Sequence, residues 1–186
     1  MTAKPEAVLV IDDNVTNLGV LSGFLKMRGY RIMVAKDGQD GIGKARAGIP
    51  DIILLDVQMP GIDGFETCRI MKGHPEIRDI PVLFITALQD VADKVKGFAA
   101  GGVDYITKPL QEAEVLARVE THLRLRRLQR EVEEQNRLLD ERVKTQVKEI
   151  SDSQIATIVA LAQLAESRDY ETGSHLQRVG RCSRLL

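Results

Sequence analysis

Asp51-Ile-Ile-Leu-Leu-Asp-Val-Gln-Met-Pro60 is the stretch that decides the fold. Four apolar residues, Ile52 to Leu55, run without interruption into the carboxylate of Asp56, and Met59, Pro60 and Gly61 then break the run. So short an apolar stretch reads as a strand buried on both faces, as the central strands of parallel sheets are. In open α/β sheets, ligands gather beyond the carboxyl ends of the strands. Asp56 stands at that end. It is either a solvated loop acid or the reactive group that the sheet presents.

The flanking sequence repeats the pattern. Ala7 to Ile11 is a second buried-type strand and ends in Asp12-Asp13. Asn14 to Met27 carries Val15, Leu18, Leu21 (or Val20) and Leu25 at helical spacing, and Gly29 closes it. Tyr30 to Ala35 alternates as a strand, with Tyr30, Ile32 and Val34 on one face. Asp37-Gly38 turns into a helix reaching Gly48, whose few apolar positions (Ile42, Ala45 and Ile49) predict weak packing. A loop from Pro60 to Gly64 precedes a helix from Phe65 to Lys72. Pro81 to Thr86 is a further buried strand. A helix from Asp90 to Ala100 ends at Gly101-Gly102, and Asp104 to Lys108 is a short fifth strand. Five strands alternating with helices predict a doubly wound parallel sheet. Right-handed crossovers leave few topologies, and the flavodoxin-like order 2-1-3-4-5 is the common small one.

The 186 residues suffice for one ordinary domain and an appendage. A hydrophobic fraction of 44% allows a real core. A net charge of -1 gives no general pull toward nucleic acid or an anionic membrane. Cys68 and Cys182 lie far apart with no ligand spacing, as reduced thiols of a cytosolic protein do. The early apolar run, Ala7 to Ile11, is far too short for a signal sequence or a membrane span. The expected location is the cytoplasm.

From Gln111 the texture changes. No proline follows Pro109, and no glycine occurs from Val103 to Thr172. Leu125, Leu128, Val132, Gln135 and Leu139 fall on three-four spacing; Leu139, Val143 and Val147 are four apart, and Ile150 is three further on. The extra four-step is a stutter, which relaxes a left-handed supercoil. So narrow an apolar stripe implies a partner helix, and a parallel homodimer through residues 125–165 is expected. The alternative is a solvated single helix laced with ion pairs such as Glu133–Arg137. The final residues are expected to turn at Thr172-Gly173 and begin another amphipathic helix with Leu176, Val179 and Cys182.

Polar groups end the strands where a ligand would bind. Asp12 and Asp13 end the first, Asp56 the third, Thr86 the fourth and Lys108 the fifth. Two carboxylates about 4 Å apart repel by about 4 kcal/mol at an effective dielectric near 20. A cluster of three calls for a cation, and oxygen ligands of this kind suit Mg²⁺ with room left for phosphate oxygens. A carboxylate so neutralised can attack a phosphoryl group in line. Lys108 supplies a fixed positive charge and Thr86 a hydroxyl for the phosphate oxygens.

Residues 7–122 resemble the receiver domain of two-component response regulators. The resemblance lies in Val10-Ile-Asp-Asp-Asn14, Leu54-Leu-Asp-Val-Gln-Met-Pro-Gly-Ile-Asp-Gly64, Ile85-Thr-Ala87 and Asp104-Tyr-Ile-Thr-Lys-Pro109. It implies that Asp56 is the phosphoacceptor. Asp12, Asp13, Asp56 and the Gln58 backbone carbonyl would hold Mg²⁺. Thr86 and Tyr105 would be the switch pair, Lys108 would bind the phosphoryl group, and the Lys108–Pro109 bond would be cis. The implied partner is a histidine kinase or a phosphotransfer protein.

Arg168-Asp-Tyr-Glu-Thr-Gly-Ser-His-Leu-Gln-Arg-Val179 resembles the opening of HD-GYP domains, metal-dependent phosphodiesterases of cyclic di-GMP. In some members Glu171 and His175 would be metal ligands, and their four-residue spacing can place both on one helical face. The rest of the family's pattern is missing: no His-Asp pair and no Gly-Tyr-Pro follows. Three histidines are too few for a di- or tri-metal site. The expected organisation is a receiver over 1–122, a signalling coiled coil over 123–154 and an output-domain stub over 155–186, without phosphodiesterase activity of its own. It would be a fragment of a longer regulator. Other readings are a receiver joined to a histidine-kinase dimerisation helix, with His175 accepting phosphate, and a stand-alone receiver serving as phosphate sink or adaptor. A DNA-binding output finds no helix-turn-helix pattern and no basic charge.

Overall fold

A computed structural model of the chain describes residues 5–87 and 91–182, with the backbone alone for 91–94, 162 and 165–182. Each apolar run forms a strand: β1 Ala7–Ile11, β2 Arg31–Ala35, β3 Ile52–Asp56, β4 Val82–Thr86 and β5 Asp104–Thr107. The helices are α1 Val15–Met27, α2 Gly38–Gly48, α3 Gly64–Gly73, α4 Val91–Ala99 and α5 Glu112–Cys182. The strands pair in parallel in the order β2-β1-β3-β4-β5, the flavodoxin-like topology. The chain divides into two compact units, Met1–Arg130 and Glu131–Leu186.

β1, β3 and β4 are buried along their whole length. Their uninterrupted apolar runs follow from this, because successive side chains enter opposite faces of the sheet. Leu9, Ile11, Ile53, Leu55 and Phe84 enter one core with Ala45 of α2 and Cys68 and Met71 of α3. Val8, Val10, Ile52, Leu54, Leu83 and Ile85 enter the other with Leu18, Leu21 and Leu25 of α1 and Val115, Val119 and Leu123 of α5. β2 is one of the two edge strands. Tyr30 and Ile32 pack against the second core as their alternation predicts, but Val34 is 42% exposed.

Helix α2 does not pack weakly. Glycines bring it close: a Cβ at Gly41 would strike the Ile11 side chain, and one at Gly38 would strike Thr67. Ile49 is not on its apolar face. It caps the helix in the left-handed region, φ 40°, with its N–H donating to the Ala45 carbonyl. Helix α3 begins where the site requires it. Asp63 caps it by accepting from the Glu66 N–H at 2.7 Å, and the Gly64 N–H donates to the Val57 carbonyl at 2.9 Å. Gly64 lies so near the Asp56 carbonyl that no Cβ fits there.

Within the first unit α5 is held by more than its apolar face. Arg127 pairs with Glu6 at 3.5 Å and Arg130 with Asp51 at 3.0 Å. The other Asp51 oxygen accepts from the Ala7 N–H at 2.9 Å. These contacts gather at the amino ends of β1 and β3.

The expected turn at Thr172-Gly173 is corrected: α5 continues unbroken to Cys182. A single interior glycine costs a helix only about 1 kcal/mol relative to alanine, and no proline is present to stop it. Within the second unit Val132, Leu139, Val143, Val147 and Ile150 are all more than half exposed. Arg137 bonds Glu134 and Glu141, its neighbours three before and four after. Among the described residues, no helix is long and apolar enough to cross a membrane.

Gly64→Ala forces a methyl group against the Asp56 backbone, so it should destabilise the first unit by about 1–3 kcal/mol. Urea denaturation followed by circular dichroism measures this; a wild-type midpoint would contradict the close approach.

Candidate functional site

Register brings the acids together. Ile11 pairs with Leu55, so Asp12, the next residue along, emerges beside Asp56. Asp12, Asp13 and Asp56 each offer a carboxylate oxygen within 4.8 Å of the others. Asp12 and Asp56 are buried, while Asp13 is exposed. Asp56 in turn pairs with Ile85 of β4, which places Thr86 one residue beyond it. The Lys108 N–H donates to the Thr86 carbonyl at 2.8 Å, fixing where the lysine leaves β5. Its Nζ reaches back across the sheet to Asp56 Oδ2 at 2.8 Å and to Asp12 Oδ2 at 3.6 Å. The Lys108–Pro109 bond is cis, as the resemblance implied.

The start of α1 completes the arrangement. Asn14 caps the helix, its Oδ1 accepting from the Thr16 N–H at 2.9 Å. Its own N–H donates to Asp12 Oδ1 at 2.8 Å. Asn17 lies in the first turn, and its Nδ2 donates to both Asp12 oxygens, at 3.1 and 2.9 Å. The sequence reading missed Asn17. The signal was an amide at the third helical position behind an Asn cap, where side chains commonly reach back toward the chain entering the helix. These donors let a buried Asp12 carboxylate exist, since an unpaired charge there would be very costly.

Asp56 is less well compensated. Burial pushes its carboxyl above the ordinary carboxylate range; the hydrogen bond from Lys108 opposes this, and the Asp12 charge adds to it. The Gln58 N–H contributes a long hydrogen bond at 3.4 Å, and the Gln58 side chain is exposed. Three carboxylates with hard oxygen donors fit Mg²⁺, which takes few protein ligands and keeps several waters. Such an ion would sit with Asp12, Asp13 and Asp56, offsetting their mutual repulsion and the charge of an incoming phosphoryl group.

Thr86 is buried. Tyr105 pairs with Phe84, two residues before Thr86, so both side chains leave the sheet on the same face. The Tyr105 ring is partly buried and meets Phe98 of α4 edge-on, with centroids 6.5 Å apart. Cys68 takes no part: it is a free thiol in the core, pushed up to about 11 by burial and therefore not a thiolate at neutral pH. Glu171 and His175 fall within α5, where their side chains lie outside the described residues. The site that the structure assembles therefore comprises Asp12, Asp13, Asp56 and Lys108, with Gln58 and Thr86 next to them.

Fold and crevice together define a doubly wound α/β domain with an Asp-rich site suited to a divalent cation and a phosphoryl group. The chain belongs to the response regulator receiver domain family, whose match covers residues 8–120. Relatives agree. A Vibrio cholerae protein named "Probable cyclic di-GMP phosphodiesterase" is 35% identical over 179 residues, 96% of this chain and 40% of that protein. Response regulator PleD of Caulobacter vibrioides is 41% identical over 119 residues, 64% of this chain and 26% of that protein. The chain thus spans well under half the length of either. Among solved structures, the receiver domain of the Pseudomonas aeruginosa sensor histidine kinase PA1611, with magnesium in its active-site cleft, has a TM-score of 0.60 at 28% identity, covering 64% of this chain and 98% of that one. Vibrio cholerae chemotaxis protein CheY4 has a TM-score of 0.61 at 28% identity, covering 64% and 99%. As a receiver, the domain serves phosphorelay signalling.

Two outcomes follow from this geometry. A carboxyl whose folded pKa is raised costs stability at neutral pH, and the cost fades as pH falls through that pKa toward the ordinary 3.8. Asp56→Asn should therefore raise the melting midpoint at pH 7 by a few degrees, and the gain should shrink on acidification; a gain that grew instead would reverse the sign of the burial effect. Asn17→Ala leaves Asp12 short of two hydrogen bonds and should cost about 1–3 kcal/mol in urea denaturation without Mg²⁺.

Proposed function

We propose that Asp56 accepts a phosphoryl group from a histidine kinase or phosphotransfer protein, and that the modified carboxylate switches an output carried by α5. The observation that carries the reading is the Lys108–Asp56–Asp12 contact inside the three-carboxylate cluster. An Asp56 carboxylate oxygen forms the new bond to phosphorus as the bond from phosphorus to the donor nitrogen breaks. Mg²⁺ held by Asp12, Asp13, Asp56 and the Gln58 carbonyl would neutralise charge on the reacting oxygens. Lys108 exchanges its Asp56 contact for a phosphoryl oxygen, and the Thr86 hydroxyl turns toward the same group. Tyr105 moves into the space that Thr86 leaves. This pair is the small two-state element, and phosphorylation biases it by binding one state more tightly.

The output reading rests on two supports. The exposed apolar stripe of the second unit is too narrow to bury alone, which favours a parallel homodimer through residues 125–165. The likeness to the Vibrio protein continues past the receiver, across 96% of this chain. With the Arg168–Val179 motif, it favours an HD-GYP phosphodiesterase as the output of the whole regulator, where Glu171 and His175 would join a di- or tri-metal site. Domain limits of 1–122, 123–154 and 155–186 belong to the same reading.

Incubation with a radiolabelled small-molecule phosphodonor and Mg²⁺ tests the first part. Wild type should incorporate label and Asp56→Asn should not; persistent labelling of the variant would move the acceptor elsewhere. Light scattering tests the second. Wild type should be dimeric, and Leu139→Lys with Val143→Lys should be monomeric; a monomeric wild type at high concentration would remove the coiled coil.

A further inference from the structure

Arg118 stands over the ring of Tyr105, its guanidinium carbon 5.4 Å from the ring centroid. It is not a loose surface cation. Its Nη1 donates to both oxygens of Asp104, at 2.8 and 2.9 Å, and its Nε donates to Glu114 at 2.9 Å. Asp104 is braced in turn. Its Oδ1 accepts from the backbone N–H of Tyr105 at 2.8 Å, and its Oδ2 meets His122 Nε2 at 3.0 Å. Against burial, which acts to raise it, hydrogen bonds from His122, the Tyr105 amide and Arg118 hold the Asp104 carboxyl below its ordinary range. Two carboxylates thus fix a planar cation that could otherwise sample many rotamers. The ring also meets Phe98 edge-on.

We infer that Arg118 is a positioning residue for the phosphoryl switch: its guanidinium, clamped by Asp104 and Glu114, holds the Tyr105 ring where it lies while Lys108 pairs with Asp56, and so opposes the phosphorylated state. The inference rests on the proposed switching role of Tyr105. It goes beyond that role by naming the group that sets the resting balance. The Tyr105 ring is attracted by the cation above its face, and that attraction is lost if the ring leaves this place. A ligand that requires the moved ring then binds in proportion to the fraction of molecules that have it moved.

A double-mutant cycle on the full chain reads this out. Isothermal titration calorimetry would measure the affinity of beryllofluoride, a phosphoryl mimic, in saturating Mg²⁺ for wild type, Arg118→Gln, Tyr105→Leu and the double variant. Arg118→Gln should tighten binding about five-fold when Tyr105 is present and leave it unchanged when position 105 is Leu. An equal change in both backgrounds, or none in either, overturns the inference, because Arg118 would then act through the fold and not through the ring. A second measurement needs no ligand on the variant. In ring-labelled protein, the Tyr105 resonances of Arg118→Gln should move toward those of the beryllofluoride-bound wild type, while those of Tyr30 stay fixed as a check on folding. Unmoved Tyr105 signals also overturn the inference. Failure of wild type to bind beryllofluoride at all would instead remove the phosphoacceptor reading, and with it the state against which Arg118 works.

Discussion

Parallel pairing of β1 with β3 places two buried carboxylates, Asp12 and Asp56, at neighbouring strand ends. Charges about 4 Å apart would repel by about 4 kcal/mol at an effective dielectric near 20, a large part of a domain's net stability. Much of the local structure answers that repulsion. Asn17 and the Asn14 amide supply donors to Asp12 from the first turn of α1. Lys108 crosses from β5 to Asp56, which requires β3, β4 and β5 to hold their register. The sheet's apolar core is therefore also the scaffold that keeps an unfavourable charge cluster assembled. Proteins commonly trade stability for reactivity in this way.

What the sequence disclosed follows physical scale. β1, β3 and β4 were legible because burial on both faces demands unbroken apolar runs, and each run ended in a polar residue that proved to lie at the sheet's carboxyl edge. Helix α2 was misjudged because apolar counting ignores what glycine permits: Gly38 and Gly41 pack by the absence of a side chain. Val34 shares a face with Tyr30 and Ile32 yet is exposed, because alternation does not tell an edge strand from an inner one. The break expected at Gly173 relied on a local preference too small to stop a helix. Asn17 was overlooked because one amide in a first helical turn ordinarily reads as part of a cap. The cluster of Asp104, Arg118 and His122 was hidden because its members are 14 and 18 residues apart and meet only once β5 and α5 pack together.

The site and the start of α5 share more than sequence proximity. Tyr105 belongs to the same short strand that delivers Lys108, and Asp104 beside it reaches into α5. A change at Asp56 would have a physical route of few steps: the lysine paired with it is three residues from the aromatic ring that Phe98 of α4 and Arg118 of α5 contact.

The pairs Arg127–Glu6 and Arg130–Asp51 define a natural seam for protein engineering. They tie α5 to the amino ends of β1 and β3, past Leu123, the last α5 residue buried in the core among the described residues. A chimaera that joins a foreign effector after Arg130 keeps these ion pairs and the receiver's folding unit intact, whereas a splice at the end of the apolar core would discard both. The useful cut for modular sensors is therefore set by charge at the far end of the sheet.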